Sequence, residues 1–332
     1  MAQPPRISRR APMYPAPEFP PRKPKLFART PPAVFPVLLG LLGLGLALRL
    51  GLAELALPGG VAELLLGAAG AIWVFAMLAY AVKLARRPGV LGDDMRVLPG
   101  RAGIAAASVG GMALAAALVP FAPDVAGWLL IGALLVHAGQ MVVLVAVLRA
   151  MPEAGRQVNP SLHLSFVGPI VGGLAAVSLG WAGLAVALFW ATLPVALLIW
   201  GLSALQFARE VPPAPLRPML AIHLAPASLL ASVAALTGQG GLAVVLAIAG
   251  GGLLLAMLTG ARWMTVSGFS AIWGSFTFPL AAYSGALFTL GWVWPGLIVL
   301  LAALAVVPPV AYQVVRMWAV GSLAQKTNAA EA

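Results

Sequence analysis

The sequence contains no cysteine, which excludes disulfides and thiolate metal sites. It is also poor in charge. Only 9 % of the 332 residues are charged and only nine are acidic. No paired carboxylates lie within the apolar segments, so there is no general acid–base couple of the hydrolase kind. There is no Walker-type glycine loop and no Gly-x-Ser-x-Gly, and Gly110-Gly111 and Gly172-Gly173 stand in apolar context as helix-packing glycines rather than phosphate cradles. An enzyme is therefore not expected. Histidine is scarce at three. Two of them, His163 and His223, open apolar segments at matched places, which raises haem or metal ligation as a rival reading. No third ligand has suitable spacing, so neither a cofactor nor a metal is expected. Asp93-Asp94, beside Arg96, read as a solvated face.

What is present in excess is apolar surface: 61 % hydrophobic residues and a mean hydropathy of +0.99. Ten apolar segments, roughly 34–57, 61–85, 100–120, 125–149, 161–181, 182–205, 218–238, 240–260, 266–289 and 293–320, are each long enough to cross about 30 Å of hydrocarbon. The connections alternate. Those after the odd segments are short and carry no Lys or Arg, as in Pro58-Gly59-Gly60 or Gly238-Gln239-Gly240. Those after the even segments carry the basic residues, among them Lys83, Arg86, Arg149, Arg209 and Arg262. The net charge of +11 thus reports membrane topology and not nucleic-acid binding. By the positive-inside rule both termini are cytoplasmic. The expected fold is an all-α integral membrane protein, ten transmembrane helices paired as five hairpins around a quasi-five-fold pore. Residues 1–33, rich in Pro and Arg, are expected as a disordered cytoplasmic tail, residues 34–320 as the pore domain and residues 321–332 as a C-terminal tail.

Small residues recur at helical spacing along the odd segments, and the same segments hold the helix breakers, whereas the even ones are richer in Leu, Val and Ile. Close helix packing explains any one such stripe. Five stripes in five alternating segments point to an inner ring. The candidate lining is Gly40, Gly43, Gly110, Gly168, Pro169, Gly172, Pro226, Ser228, Ser267, Gly274 and Pro279. Counting 100° per residue from Ser267, the residues Ala271, Gly274, Phe278, Ala281 and Gly285 share one face, opposite Phe269, Trp273, Phe276 and Tyr283. Phe278 is then a single ring on a stripe of small residues. It is either a plug in a narrow channel or a packing residue that fills a gap. Arg49 is the one basic residue at membrane depth. It reads as an anion-attracting charge or, in preference, as a structural arginine paired with Glu54 or Glu63. His137 and Gln140 read as an interhelical hydrogen-bonded pair.

Three stretches, Pro160-Ser161-Leu162-His163-Leu164-Ser165-Phe166-Val167-Gly168-Pro169-Ile170-Val171-Gly172-Gly173, Ile222-His223-Leu224-Ala225-Pro226 and Trp273-Gly274-Ser275-Phe276-Thr277-Phe278-Pro279-Leu280, resemble the tellurite-resistance/dicarboxylate transporter family, which includes the bacterial TehA protein and the slow-type anion channel of plant guard cells. The resemblance extends over residues 34–320. It implies a homotrimer in the bacterial inner membrane with one pore per subunit, five kinked inner helices, five outer helices and a phenylalanine on the ninth helix as the gate. On this sequence the gate is Phe278, with Phe276 as the alternative. The implied function is passage of small monovalent inorganic anions; the alternative is a secondary carrier exporting tellurite or C4-dicarboxylates. The basic loops would raise the local anion concentration within a Debye length of about 8 Å.

Overall fold

The computed structural model describes residues 25–332. In chain order its helices are α1 (Phe35–Glu54), α2 (Gly60–Arg86), the short α3 (Val90–Arg96), α4 (Leu98–Leu118), α5 (Pro123–Ala150), α6 (Leu162–Phe166), α7 (Ile170–Ser178), α8 (Ala182–Arg209), α9 (Leu224–Leu236), α10 (Gly240–Thr259), the short α11 (Ala261–Met264), α12 (Thr277–Thr289), α13 (Val293–Ala319) and α14 (Ser322–Lys326). No strand occurs among the described residues. Eight segments are long and apolar enough to cross a bilayer: α1, α2, α4, α5, α8, the run Ala214–Leu236 that ends in α9, α10 and α13.

The other two apolar segments are interrupted, and the interruptions have local causes. In the fifth, Gly168-Pro169 separates α6 from α7; proline has no backbone N–H to continue the helical ladder. In the ninth, Gly268 takes φ +75°, a left-handed conformation that ends any helix begun at Ser267. A 3-10 turn over Ala271–Phe276 follows, and α12 starts at Thr277 with Pro279 in its first turn, where the missing N–H breaks no ladder bond. The expected single helix over 266–289 is thus corrected to a loop, a 3-10 turn and a helix. The break expected near Gly180 is present, with φ +77°.

The helices form two layers. Contacts run from α1 to α4, α4 to α7, α7 to α9, α9 to α12 and α12 back to α1, a closed ring of five. Outside it, α2 packs on α1 and α4, α5 on α4 and α7, α8 on α7 and α9, α10 on α9 and α12, and α13 on α12 and α1. Burial follows the layers: the apolar window of α4 is 89 % buried and that of α5 is 22 % buried. The outer helices present bare apolar side chains such as Trp128, Leu135, Trp190, Ile248 and Leu301, which water would disfavour and lipid accepts.

Residues of both terminal stretches pack against the helical domain. Residues 1–24 lie outside the described residues, but Ala28, Thr30 and Ala33 are buried. Lys83 Nζ donates to the Thr30 carbonyl at 3.0 Å and pairs with Asp94 at 2.8 Å, both side chains fully enclosed. The Tyr80 hydroxyl donates to the same carboxylate at 3.1 Å. The C-terminal stretch completes this cluster. The Ala330 N–H donates to Asp94 Oδ1 at 2.8 Å, the Ala332 N–H donates to the Ala28 carbonyl at 3.1 Å, and Arg29 pairs with Glu331. Asp94 is therefore corrected from a solvated face to a buried anchor, while Asp93 stays near the surface between Arg87 and Arg96. A buried carboxylate is tolerable here because a cation and two further donors occupy its oxygens.

Candidate functional site

Two cavities lie along the inside of the five-helix ring, at its opposite ends. The narrow one, about 50 Å³, is lined by residues near the beginnings of the ring segments: Ala33 and Pro36, Leu98 and Ala102, Leu164, Met219 and Ile222, Ala271 and Gly274. The wide one, about 500 Å³, is lined by residues from the middle to the ends of all five ring helices, including Leu50 of α1, Val119 just after α4, Ser178 of α7, Leu236 of α9 and Thr289 of α12. One residue borders both, Phe278. It also borders a small side cavity next to His163, Gly168 and Pro226. Its side chain is 6 % exposed.

The seat of the Phe278 ring is built from its neighbours. A Cβ on Gly43 of α1 would stand 2.7 Å from Phe278 Cδ2, so the absence of a side chain at 43 makes room for the ring. The backbone that carries the ring is fixed next door. The Thr277 hydroxyl donates to the Gly274 carbonyl at 2.7 Å, and Gly40 leaves room for the Thr277 side chain in turn. Phe276, the alternative ring, lies elsewhere: it stacks edge-on against Trp273 at 5.9 Å and borders none of the three cavities.

Of the other expected lining residues, Gly43, Gly168, Pro226, Gly274 and Pro279 border cavities. The rest do not. Gly110 faces the outer layer, where a Cβ would meet Trp73 Nε1 at 2.5 Å, and that indole donates to the Ala107 carbonyl. Gly172 faces Leu130 and Leu134 of α5. Gly40 holds Thr277, Ser228 is fully buried with its hydroxyl on the Leu224 carbonyl, Pro169 opens α7, and Ser267 stands in the loop before the 3-10 turn. Gly40, Gly110 and Gly172 thus lie against neighbouring helices, the close-packing arrangement that small residues also permit.

The polar groups near the ring resolve into three clusters. His137 and Gln140 of α5 meet Ser108 of α4, with His137 Nδ1 and Gln140 Nε2 each 2.8 Å from the Ser108 hydroxyl; His137 Nε2 lies 2.8 Å from the Ser165 carbonyl of α6. This ties the broken fifth segment to two neighbours. His163 Nε2 lies 3.0 Å from His223 Nδ1, and His163 Nδ1 has no partner among the described residues. Their contact was invisible in a sequence where they stand sixty positions apart; His163 is buried and His223 half-buried. No group of three or more His, Cys, Asp or Glu able to hold a metal occurs among the described residues. Arg49 forms a two-pronged pair with Glu63 of α2, at 2.7 Å from Nε and 2.6 Å from Nη2, and Nη2 also donates to the Ala117 carbonyl. The paired state expected for Arg49 holds, and the same side chain also borders the wide cavity.

An all-helical membrane domain with an axial pair of cavities, walled by nearly neutral side chains, defines the class: a multi-pass membrane protein with a path for small solutes. The chain belongs to the voltage-dependent anion channel family, which it matches over residues 29–320. That places it among channels and transporters of anions. No curated protein matches the chain.

Proposed function

We propose that this protein is an anion channel with one pore through each subunit, closed at rest by the ring of Phe278, passing small monovalent inorganic anions down their electrochemical gradient. The observation that carries this is that Phe278 alone borders both the narrow and the wide cavity, with its ring seated over Gly43. Opening requires the ring to leave the axis by a change of rotamer and of helix bend. The walls on either side carry no acidic side chain, so a cation gains no counter-charge there. With so few polar groups to replace water, anions pass in order of ease of dehydration. The basic connections, assigned by the positive-inside rule to the cytoplasm of a bacterial inner membrane, concentrate anions at the narrow end, and both termini lie on that side. The homotrimeric state comes with the resemblance and is measured by native mass analysis of detergent-solubilised protein. The test of the gate is anion current from Phe278→Ala protein in bilayers: a rise of about tenfold supports it, and unchanged current from folded protein overturns it.

A second reading is a proton-coupled carrier of tellurite or C4-dicarboxylates. One observation favours it: His163, a titratable group in contact with His223, borders the side cavity beside Phe278. Uptake into proteoliposomes that follows an imposed pH gradient would select the carrier over the channel.

A further inference from the structure

The wide cavity has a polarity problem for an anion. The ring helices α1, α4, α7, α9 and α12 all run in the same direction, and all five reach their C-terminal ends around this cavity. Each C-terminus carries roughly half a negative charge in its unpaired carbonyls. The hydroxyls in the wall do not help. Ser178 donates to the Leu174 carbonyl at 3.0 Å, Ser232 to the Ser228 carbonyl at 3.0 Å and Thr289 to the Gly285 carbonyl at 2.9 Å, each inside its own helix. Their hydrogens are engaged, so what they turn outward is oxygen lone pairs, which repel anions.

Arg49 is the sole charged side chain among the residues that line this cavity, and Ser178, Ser232 and Thr289 are its only other polar side chains. The guanidinium has five N–H groups. Nε and Nη2 are committed to Glu63 and to the Ala117 carbonyl, while Nη1 makes no hydrogen bond to a described residue. The side chain is 21 % exposed. We propose that Arg49 is the anion-binding site of the wide cavity, holding a small monovalent anion on its Nη1 edge, and that Glu63 sets how tightly the anion is held. This rests on the reading of the chain as an anion pore. The division of labour has a physical reason. A pore site must attract its ion and still release it. Glu63 fixes the guanidinium in one orientation through two short bonds and offsets most of its charge, so the free edge attracts an anion without trapping it. The free edge also offers N–H donors at a cavity mouth where five helix C-termini otherwise present only carbonyl and hydroxyl oxygens.

The test uses current through Phe278→Ala protein in planar bilayers, with chloride varied on the wide-cavity side and gluconate keeping ionic strength constant. Adding Arg49→Gln is expected to raise the half-saturating chloride concentration about fivefold, the factor one unit charge at about 4 Å exerts in water, and Glu63→Gln to lower it by a similar factor. Arg49→Lys, which keeps the charge, is expected to lie close to the parent. Opposite shifts from Arg49→Gln and Glu63→Gln are the signature, because loss of a merely structural ion pair would move both variants the same way. Equal half-saturation in all variants, or shifts of the same sign, overturns the proposal. If Phe278→Ala carries no current although folded, the gate assignment fails, and the site is then read in otherwise unmodified protein in detergent. Chloride replacing gluconate is expected to raise the melting temperature of the parent and not of Arg49→Gln; equal stabilisation of the two overturns the site.

Discussion

The two cavities are made by the same five helices and differ in almost every physical respect. The narrow one gathers helix beginnings, is walled almost wholly by Ala, Leu, Ile and Pro, and contains no charged side chain. The wide one gathers helix ends and contains Arg49. Helix beginnings attract negative charge and helix ends repel it, so an uncharged wall is compatible with anions at one end of the ring and needs a cation at the other. The bracing differs as well. The 3-10 turn Pro32–Val34 borders the narrow end through Ala33, and the segment before it is tied through Thr30 to the buried Lys83–Asp94 pair and the C-terminal stretch. The wide end has short turns and one ion pair, Arg49–Glu63. Parallel packing of one class of helix therefore encloses two chemically unlike cavities, with the Phe278 ring between them.

Substitutions that merge or unbalance the two ends rank by expected effect. Phe278→Ala joins the cavities and is expected to raise anion current about tenfold, equivalent to about 1.4 kcal/mol off the barrier. Asp94→Ala leaves Lys83 buried without its partner and is expected to cost about 3–5 kcal/mol of stability, seen as a lower melting temperature. Because this cluster sits only at the narrow end, the anion dependence measured from the wide side should not change. Gly43→Ala presses a methyl on the Phe278 ring and is expected to raise current about threefold; combined with Phe278→Ala it should add nothing, since its effect passes through the ring. Phe276→Ala removes a ring that borders neither cavity, and its current is expected to stay within about a factor of two of the parent. A large increase from Phe276→Ala with none from Phe278→Ala would move the constriction to the other ring.

The sequence made the two-layer helical architecture legible, because alternation of composition and of loop charge needs no tertiary information. It made Phe278 legible as a ring on a small-residue stripe, although the helix assumed from Ser267 does not exist. The count survives because α12 begins at Thr277 and carries Phe278, Ala281 and Gly285 itself. Lining was less legible. Gly110 and Gly172 sit in stripes like that of Gly43 but admit Trp73 and Leu130 from the outer layer, and a periodic pattern does not say which neighbour fills the notch. Asp94 reads as solvated because loops usually are, but the C-terminal stretch folds over it, and His163 and His223, at the openings of two distant segments, meet each other. Arg49 stands about 200° around α1 from Ala47 at 100° per residue, yet its long side chain still reaches the wide cavity of about 500 Å³.

The most direct measurement is the reversal potential of wild-type and Phe278→Ala protein side by side in planar bilayers under a chloride gradient. A pore closed by Phe278 gives little wild-type current and a large Phe278→Ala current that reverses near the chloride equilibrium potential. A Phe278→Ala protein that is folded yet silent, or whose current reverses at the cation potential, contradicts it.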